Sequence, residues 1–151
     1  MVTLLARKSQ AHIGSALEKY DLSAAEQPFF MALQHHEGIT QEQLTAIVCV
    51  DKAATARAVR SLEEKGYLVR RQDETDRRQN RIYPTEAAKR LGPMVKKELL
   101  RFNDQLTRGI RPEELDIISS CLQTMEENLA AAADRKAGSA EQGGQRDGAR
   151  K

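Results

Sequence analysis

Between Thr40 and Gly66 the chain carries two helix starts and a firm helix stop, and few folds accommodate that punctuation over so short a distance. Thr40 with Gln43 three residues on forms a capping box, and Ile39 before the cap is placed to staple onto Leu44. Leu44, Ile47 and Val48 make the apolar face of this short helix, which ends near Cys49. Asp51 then caps a second helix whose apolar residues Ala58, Val59 and Leu62 lead to Gly66, a natural C-terminal stop. Two short helices joined by a tight turn, the second amphipathic and basic, make a helix-turn-helix.

The segment after Gly66 is not helical. The runs TyrLeuValArgArg and ArgIleTyr are β-prone and flank the charged stretch RRQDETDRRQN, which makes them a hairpin packed behind the second helix. A helix-turn-helix followed at once by a hairpin is a winged helix, and the charged stretch is its wing. The net charge of +2 is nearly neutral, yet eleven Lys and Arg stand against seven Asp and Glu between Asp51 and Arg90. The excess of base is local, which points toward a polyanion. A merely solvated loop is the bland alternative.

The remainder is helical. Aromatic residues are 4% of the 151, with no Trp, while Leu, Ala, Glu, Arg and Lys dominate. Leu5, Ile13, Ala16, Leu17 and Tyr20 can share one stripe of a first helix over Val2–Tyr20, and Asp21 and Leu22 interrupt it. Ser23 with Glu26 starts a second helix that carries Phe29, Phe30 and Leu33 and stops near Gly38. After the hairpin, Thr85 caps a helix from Glu86 to about Arg108, with Leu91, Met94, Val95, Leu99, Phe102 and Leu106 inside and Gly92-Pro93 set to loosen one turn. Pro112 opens the last helix, where Leu115, Ile118, Leu122, Met125 and Leu129 recur at spacings that form a seam. That seam packs either on a helix of its own subunit or on a second copy. From about Gly138 to Lys151 the composition turns to a mobile, mildly basic tail.

Several classes drop out. No apolar run approaches the about 18 residues that a spanning helix requires, so a cytosolic protein without a membrane partner is expected. Cys49 and Cys121, far apart, are expected as small buried hydrophobes. His12, His35 and His36 lack further ligands at metal spacing, and there is no phosphate-cradling glycine loop, nucleophile elbow or credible Ser-His-Asp or Cys-His set. No metal, cofactor or catalysis is expected.

On the second helix of the pair, inward Thr55, Ala58, Val59 and Leu62 leave Ala53, Ala54, Ala56, Arg57 and Arg60 pointing out. Arginine can grip guanine O6 and N7 with two hydrogen bonds, and alanine can meet a thymine methyl. Arg57 therefore touches either a base edge or only phosphate and solvent.

In the order of its helices, the phrase VDKAATARAVRSLEEKGYLVRR, the wing DETDRRQNRIYPTEAAKRL and the PEEL of the last helix, the chain resembles the MarR family of bacterial transcriptional regulators over about residues 5 to 130. The family wing pattern of Asp, any residue, Arg is met by Asp76, Arg77 and Arg78. Ala53 and Ala54 stand where the family usually has Ser and Thr, Pro84 stands where it usually has Leu, and no cysteine precedes Cys49, as the peroxide-sensing branch would require. The resemblance implies a mainly α fold: a winged helix-turn-helix over 23–85 and a helical dimerisation region from 1–22 and 86–133. It implies a homodimer, joined through Leu5, Ile13, Leu17, Leu115, Ile118, Leu122, Met125 and Leu129, that binds palindromic double-stranded DNA as a ligand-responsive repressor.

By the same resemblance Arg78 enters the minor groove with Asp76 as its brace, while Arg77 and Arg81 meet phosphate or solvent; Asp73 and Glu74 would repel DNA if they faced it, so they are expected on the outer side. A small aromatic or phenolic effector would sit between the two regions, against His12, Ser15, Phe29 and Met31. A winged-helix module that binds protein instead of DNA is the alternative.

Overall fold

The computed structural model describes residues 1–143. Helix α1, Val2–Leu17, runs on into a 3-10 turn at Glu18–Tyr20 and ends where Asp21 takes a left-handed backbone. Ser23 and Glu26 make their reciprocal capping contacts, but residues 24–26 form a turn and α2 begins later than expected, at Gln27, running to His35 with Pro28 in its first turn. The expected Thr40–Gln43 capping box opens α3, Gln41–Val48. Asp51 accepts from the Ala54 N–H to cap α4, Lys52–Glu64. Two strands then form the expected hairpin, followed by α5, Glu86–Leu106, which continues through Pro93, and α6, Pro112–Gly143. Thr85 caps α5 by accepting from the Ala88 N–H.

The sheet has three strands where two were expected. Ile39–Thr40 is β1, Leu68–Gln72 is β2 and Asn80–Pro84 is β3, in the antiparallel order β1-β3-β2. Ile39 stands opposite Ile82, and Arg70 stands opposite Ile82 on the other side. A two-residue strand has no room for an alternation signal, so β1 was invisible in the sequence. Its pairing fastens the entry of α3 to the root of the wing.

Residues Met1–Leu106 make one compact unit, and the chain from Thr107 makes a second. In the first, α1 packs on α5, α5 on α2, and α2 on α3 and α4. The core gathers Leu17, Phe29, Phe30, Leu33, Leu44, Val59, Leu62, Leu68, Ile82 and Val95. Met94 and Leu106 of α5, expected inside, are exposed. Both cysteines are exposed too, against expectation: Cys49 occupies the left-handed position that ends α3, where the chain turns outward, and Cys121 lies on the open surface of α6. The tail expected from Gly138 overlaps the last residues of α6, and residues 144–151 lie outside those described.

Candidate nucleic-acid interface

The periodicity of α4 decides which way its side chains point. Thr55, Ala58, Val59 and Leu62 are buried, as the spacing requires, and Ala53, Ala56, Arg57 and Arg60 are exposed with Ala54 half-buried. Burial of the first set holds the helix by its back. Polar contacts fix it further, because the hydroxyls of Thr45 and Thr55 meet at 3.0 Å and tie α3 to α4. At the far end, Glu26 receives the Ser61 hydroxyl and the Lys65 ammonium, the latter at 2.9 Å to both carboxylate oxygens. Lys65 also donates to the Asp21 carbonyl at 2.8 Å. Burial opposes the Glu26 charge, but hydrogen bonds from Ser61, Lys65 and Ser23 outweigh it and lower its pKa to about 2.

The capping box that the sequence offered for Glu26 is therefore half of its work. Its second oxygen reaches across to α4, which no local pattern could reveal. On the outward face, Arg60 is engaged by Glu64 one turn on, at 3.0 Å. Arg57 makes no ion pair within 4 Å among the described residues; its guanidinium is exposed, and its charge acts at longer range on Asp51, where, after the Ala54 N–H, it helps hold the carboxyl below its ordinary value.

The wing is built around a carboxylate. Asp73, expected on the outer side, is buried, with 7% of its surface exposed. Its Oδ1 accepts from the Thr75 N–H at 2.8 Å, the Thr75 hydroxyl at 2.7 Å and the Asp76 N–H at 3.2 Å. Its Oδ2 accepts from Arg81 Nε. The Thr75 hydroxyl and N–H, then Arg81 and the Asp76 N–H, hold its carboxyl well below the usual carboxylate range. An acid with so many donors in reach turns inward. Arg81, expected on phosphate or solvent, is drawn in with it and donates from Nη1 to the Gly38 carbonyl at 2.7 Å.

Asp76 was expected to brace the Arg78 side chain. It accepts instead from the Arg78 backbone N–H, at 3.0 Å, and so sets the turn rather than the guanidinium. Gln72 Nε2 donates to the Arg77 carbonyl at 2.6 Å. Arg77 and Arg78 are exposed and make no ion pair within 4 Å among the described residues.

This arrangement of helix and wing is shared with known proteins. A sequence model of the MarR family matches residues 30–79, which span α3, α4 and most of the wing. The crystal structure of a MarR transcriptional regulator from Methanosarcina mazei Go1 is 34% identical, with a TM-score of 0.77 over 87% of this chain and 94% of that one. The chain belongs to the MarR family. An uncharacterized HTH-type transcriptional regulator of Bacillus subtilis (strain 168), YybA, is 25% identical over 85% of both chains. A putative MarR family transcriptional regulator from Listeria monocytogenes, solved in complex with a 26mer DNA, shares the fold at 22% identity, with a TM-score of 0.79 over 87% of each chain.

As a MarR family member the chain is a DNA-binding transcriptional regulator and not an enzyme. Among the described residues no group of three or more His, Cys, Asp and Glu gathers to hold a metal, and no helix is long and apolar enough to cross a membrane.

The remaining site candidates are scattered by the MarR fold. His12 stacks on Phe102 with ring centroids 5.3 Å apart. Ser15 borders a hollow with Glu18 and Lys65, and Met31 borders another with His35 and Lys89. Phe29 lines a third, a cavity of about 410 Å³ with Val48, Val50, Ala54 and Arg57. None of these three hollows is lined by more than one of the four, because helical spacing gives a direction for each side chain but not the gap between elements. Of the residues expected at a dimer interface, Leu17 is fully buried in the core of its own chain, and Ile13 is half-buried against the same core. Leu5, Ile118, Leu122, Met125 and Leu129 are exposed and Leu115 is half-buried.

Proposed function

We propose that the chain represses transcription as a two-fold homodimer on a palindromic operator, with α4 in the major groove and Arg78 in the flanking minor groove, and that a small aromatic or phenolic anion releases it. The observation that carries this reading is the outward face of α4. Ala53, Ala54, Ala56 and Arg57 lie on one side, and among the described residues Arg57 makes no ion pair within 4 Å. A free guanidinium matches guanine O6 and N7, and the alanines leave room for thymine methyls. Arg60 and Arg77 supply phosphate contacts, and Arg78, on a tip that Asp76 shapes, suits a narrow A-T minor groove.

Residues 23–85 serve as the DNA-binding region, and 1–22 with 86–133 as the dimerisation region. Support for a dimer comes from apolar side chains that are exposed: Leu5 on α1, and Ile118, Leu122, Met125 and Leu129 on α6, the last with 74% of its surface exposed. Two-fold pairing sets two recognition helices about 34 Å apart, one turn of duplex. Leu122→Asp with Met125→Asp is expected to give a monomer with weak DNA affinity in sedimentation and gel-shift assays. Wild-type protein that sediments as a monomer at micromolar concentration contradicts the dimer.

The effector is assigned to the cavity of about 410 Å³ beside α4, whose wall also includes Glu26, already paired with Lys65. Phe29, Val48 and Val50 offer an apolar body, and Arg57 offers a cation for a carboxylate or phenolate. A ligand paired with Arg57 competes with DNA for the same guanidinium, which supplies the differential affinity that a switch requires. Salicylate is expected to raise the thermal midpoint and weaken operator binding together. Ligands that stabilise the protein without changing DNA affinity count against this site. Binding to operator-like palindromes at several salt concentrations tests the whole reading, since an interaction that is absent or insensitive to salt is not that of a DNA-bound repressor.

A further inference from the structure

We infer that Asp73 and Arg81 are a positioning pair for DNA binding: they clamp the wing tip to the loop that enters β1, and Arg81 acts by holding the wing and not by touching DNA. The inference rests on the proposed role of the wing. Its basis is the use made of each polar atom. The two oxygens of Asp73 divide the labour, Oδ1 taking three donors from Thr75 and Asp76 and Oδ2 taking Arg81. The Asp73 N–H meanwhile donates to the Gln79 carbonyl, and the Gln79 N–H to the Asp76 carbonyl, both at 2.9 Å, so the tip is closed on itself.

Arg81 carries this closed tip to the body of the domain. Its Nε lies on Asp73 and its Nη1 on the Gly38 carbonyl, in the loop that precedes β1. Gly38 has a φ of +68°, and a Cβ there would stand 3.0 Å from the Tyr83 hydroxyl. Glycine suits both the left-handed backbone and the close ring, since a side chain here is strained and presses on Tyr83. The loop is thus pressed against β3 where Arg81 can reach its carbonyl, and the Gly38 N–H donates to the Ile82 carbonyl at 2.9 Å to hold it there. With Nε on Asp73 and Nη1 on Gly38, Arg81 has less of its guanidinium left for a phosphate than Arg77 or Arg78, which are exposed and make no ion pair within 4 Å among the described residues. Asp76, fixed through its N–H by Asp73, in turn fixes the Arg78 N–H, so the clamp ends at the residue proposed to enter the groove.

Electrostatics and positioning give opposite signs for one substitution. Asp73 is an acid on a DNA-facing wing, and its neutralisation by charge alone raises affinity for a polyanion. The clamp requires that its neutralisation lower affinity. Asp73→Asn is the informative variant, because its carbonyl oxygen keeps the Thr75 and Asp76 donors while its NH2 faces Arg81 Nε with a donor instead of an acceptor. The experiment measures affinity of wild type, Asp73→Asn, Arg81→Ala, their double variant and Arg78→Ala for duplexes that differ only at inner or only at outer positions, over a salt series, with thermal unfolding of each protein alongside.

Asp73→Asn and Arg81→Ala are each expected to lose affinity by about tenfold on A-T-rich outer sites, with inner discrimination kept. The double variant is expected to lose no more than either single one. Asp73→Asn that binds as well as wild type, or better, overturns the clamp, as does Arg81→Ala that lowers the salt slope by about 1 while Asp73→Asn changes nothing. If Arg78→Ala loses affinity on A-T-rich sites and Asp73→Asn does not, the clamp alone is wrong. If neither loses affinity on any duplex, the wing reading has failed and the clamp fails with it.

Discussion

In α4 the free arginine is what packing leaves over, whereas in the wing most of the charge is consumed by packing. The buried face of α4 is apolar apart from Thr55, so Ala53, Ala56, Arg57 and Arg60 are turned outward by geometry, and among the described residues Arg60 forms an ion pair within 4 Å while Arg57 does not. Of the five arginines between Arg70 and Arg81, Arg70 pairs with Glu63 at 3.0 Å, Arg71 lies over the Tyr83 ring 5.1 Å from its centroid and Arg81 is clamped, which leaves Arg77 and Arg78. A helix shows its contact surface through its period; a short loop must build its contact surface from hydrogen bonds. The number of charges in a segment is therefore a poor guide to how many face DNA. What counts is how many the fold has not already used.

That contrast predicts unequal stability effects. Leu62, on the buried face of α4, has 1% of its surface exposed, and Leu62→Ala is expected to lower unfolding stability by about 2–5 kcal/mol in urea titration. DNA affinity then falls on all duplexes alike, since the whole helix loosens. Arg78→Ala, at the exposed tip, is expected to leave the urea midpoint within about 0.5 kcal/mol of wild type. Comparable losses from both variants would mean that the wing is part of the cooperative core.

The reading face of α4 is expected to respond next most strongly. Arg57→Ala should relax discrimination at one inner base pair by about 1–3 kcal/mol if its contact is bidentate to guanine. Uniform weakening across all sequences, with a salt slope lower by about 1, would reduce Arg57 to a phosphate contact.

A smaller effect comes from the polar anchor behind α4. Because the folded pKa of Glu26 is lowered from 4.5 to about 2, the folded state binds protons less readily than the unfolded one, and the ion adds stability above pH 4.5 that is lost as pH falls toward 2. Glu26→Gln keeps one carbonyl oxygen to accept from Ser23 but turns the oxygen that takes the Ser61 hydroxyl into an NH2 donor and loses the Lys65 pairing, and is expected to cost about 1 kcal/mol at neutral pH. The difference between the two proteins in urea should shrink on acidification across that window. A difference that stays constant with pH would show that the charge of Glu26 does not hold α4.

Most of the scaffold was legible because it is periodic or punctuated. Thr40, Asp51 and Thr85 cap the helices the sequence assigned to them, and Thr55, Ala58, Val59 and Leu62 face the core as their spacing demands. The illegible parts are those where an atom is shared between distant segments. Glu26 reaches Ser61 and Lys65, Arg81 reaches Gly38, and Ile39 pairs with Ile82, and none of these contacts leaves a local trace. Leu17 illustrates the converse: an apolar stripe fixes which residues seek cover but not whether the cover is the same chain or another.

If α4 reads inner bases while the wing reads groove shape, one measurement separates the two. Affinities of wild type, Arg57→Ala and Arg78→Ala are compared on matched duplexes that vary only inner or only outer positions, with salt held constant. Arg57→Ala is expected to flatten the preference among inner variants and keep the outer one, while Arg78→Ala loses affinity chiefly on duplexes with A-T-rich outer positions. Arg78→Ala binding every duplex as tightly as wild type would contradict this division, and the wing would then be no more than a charged loop.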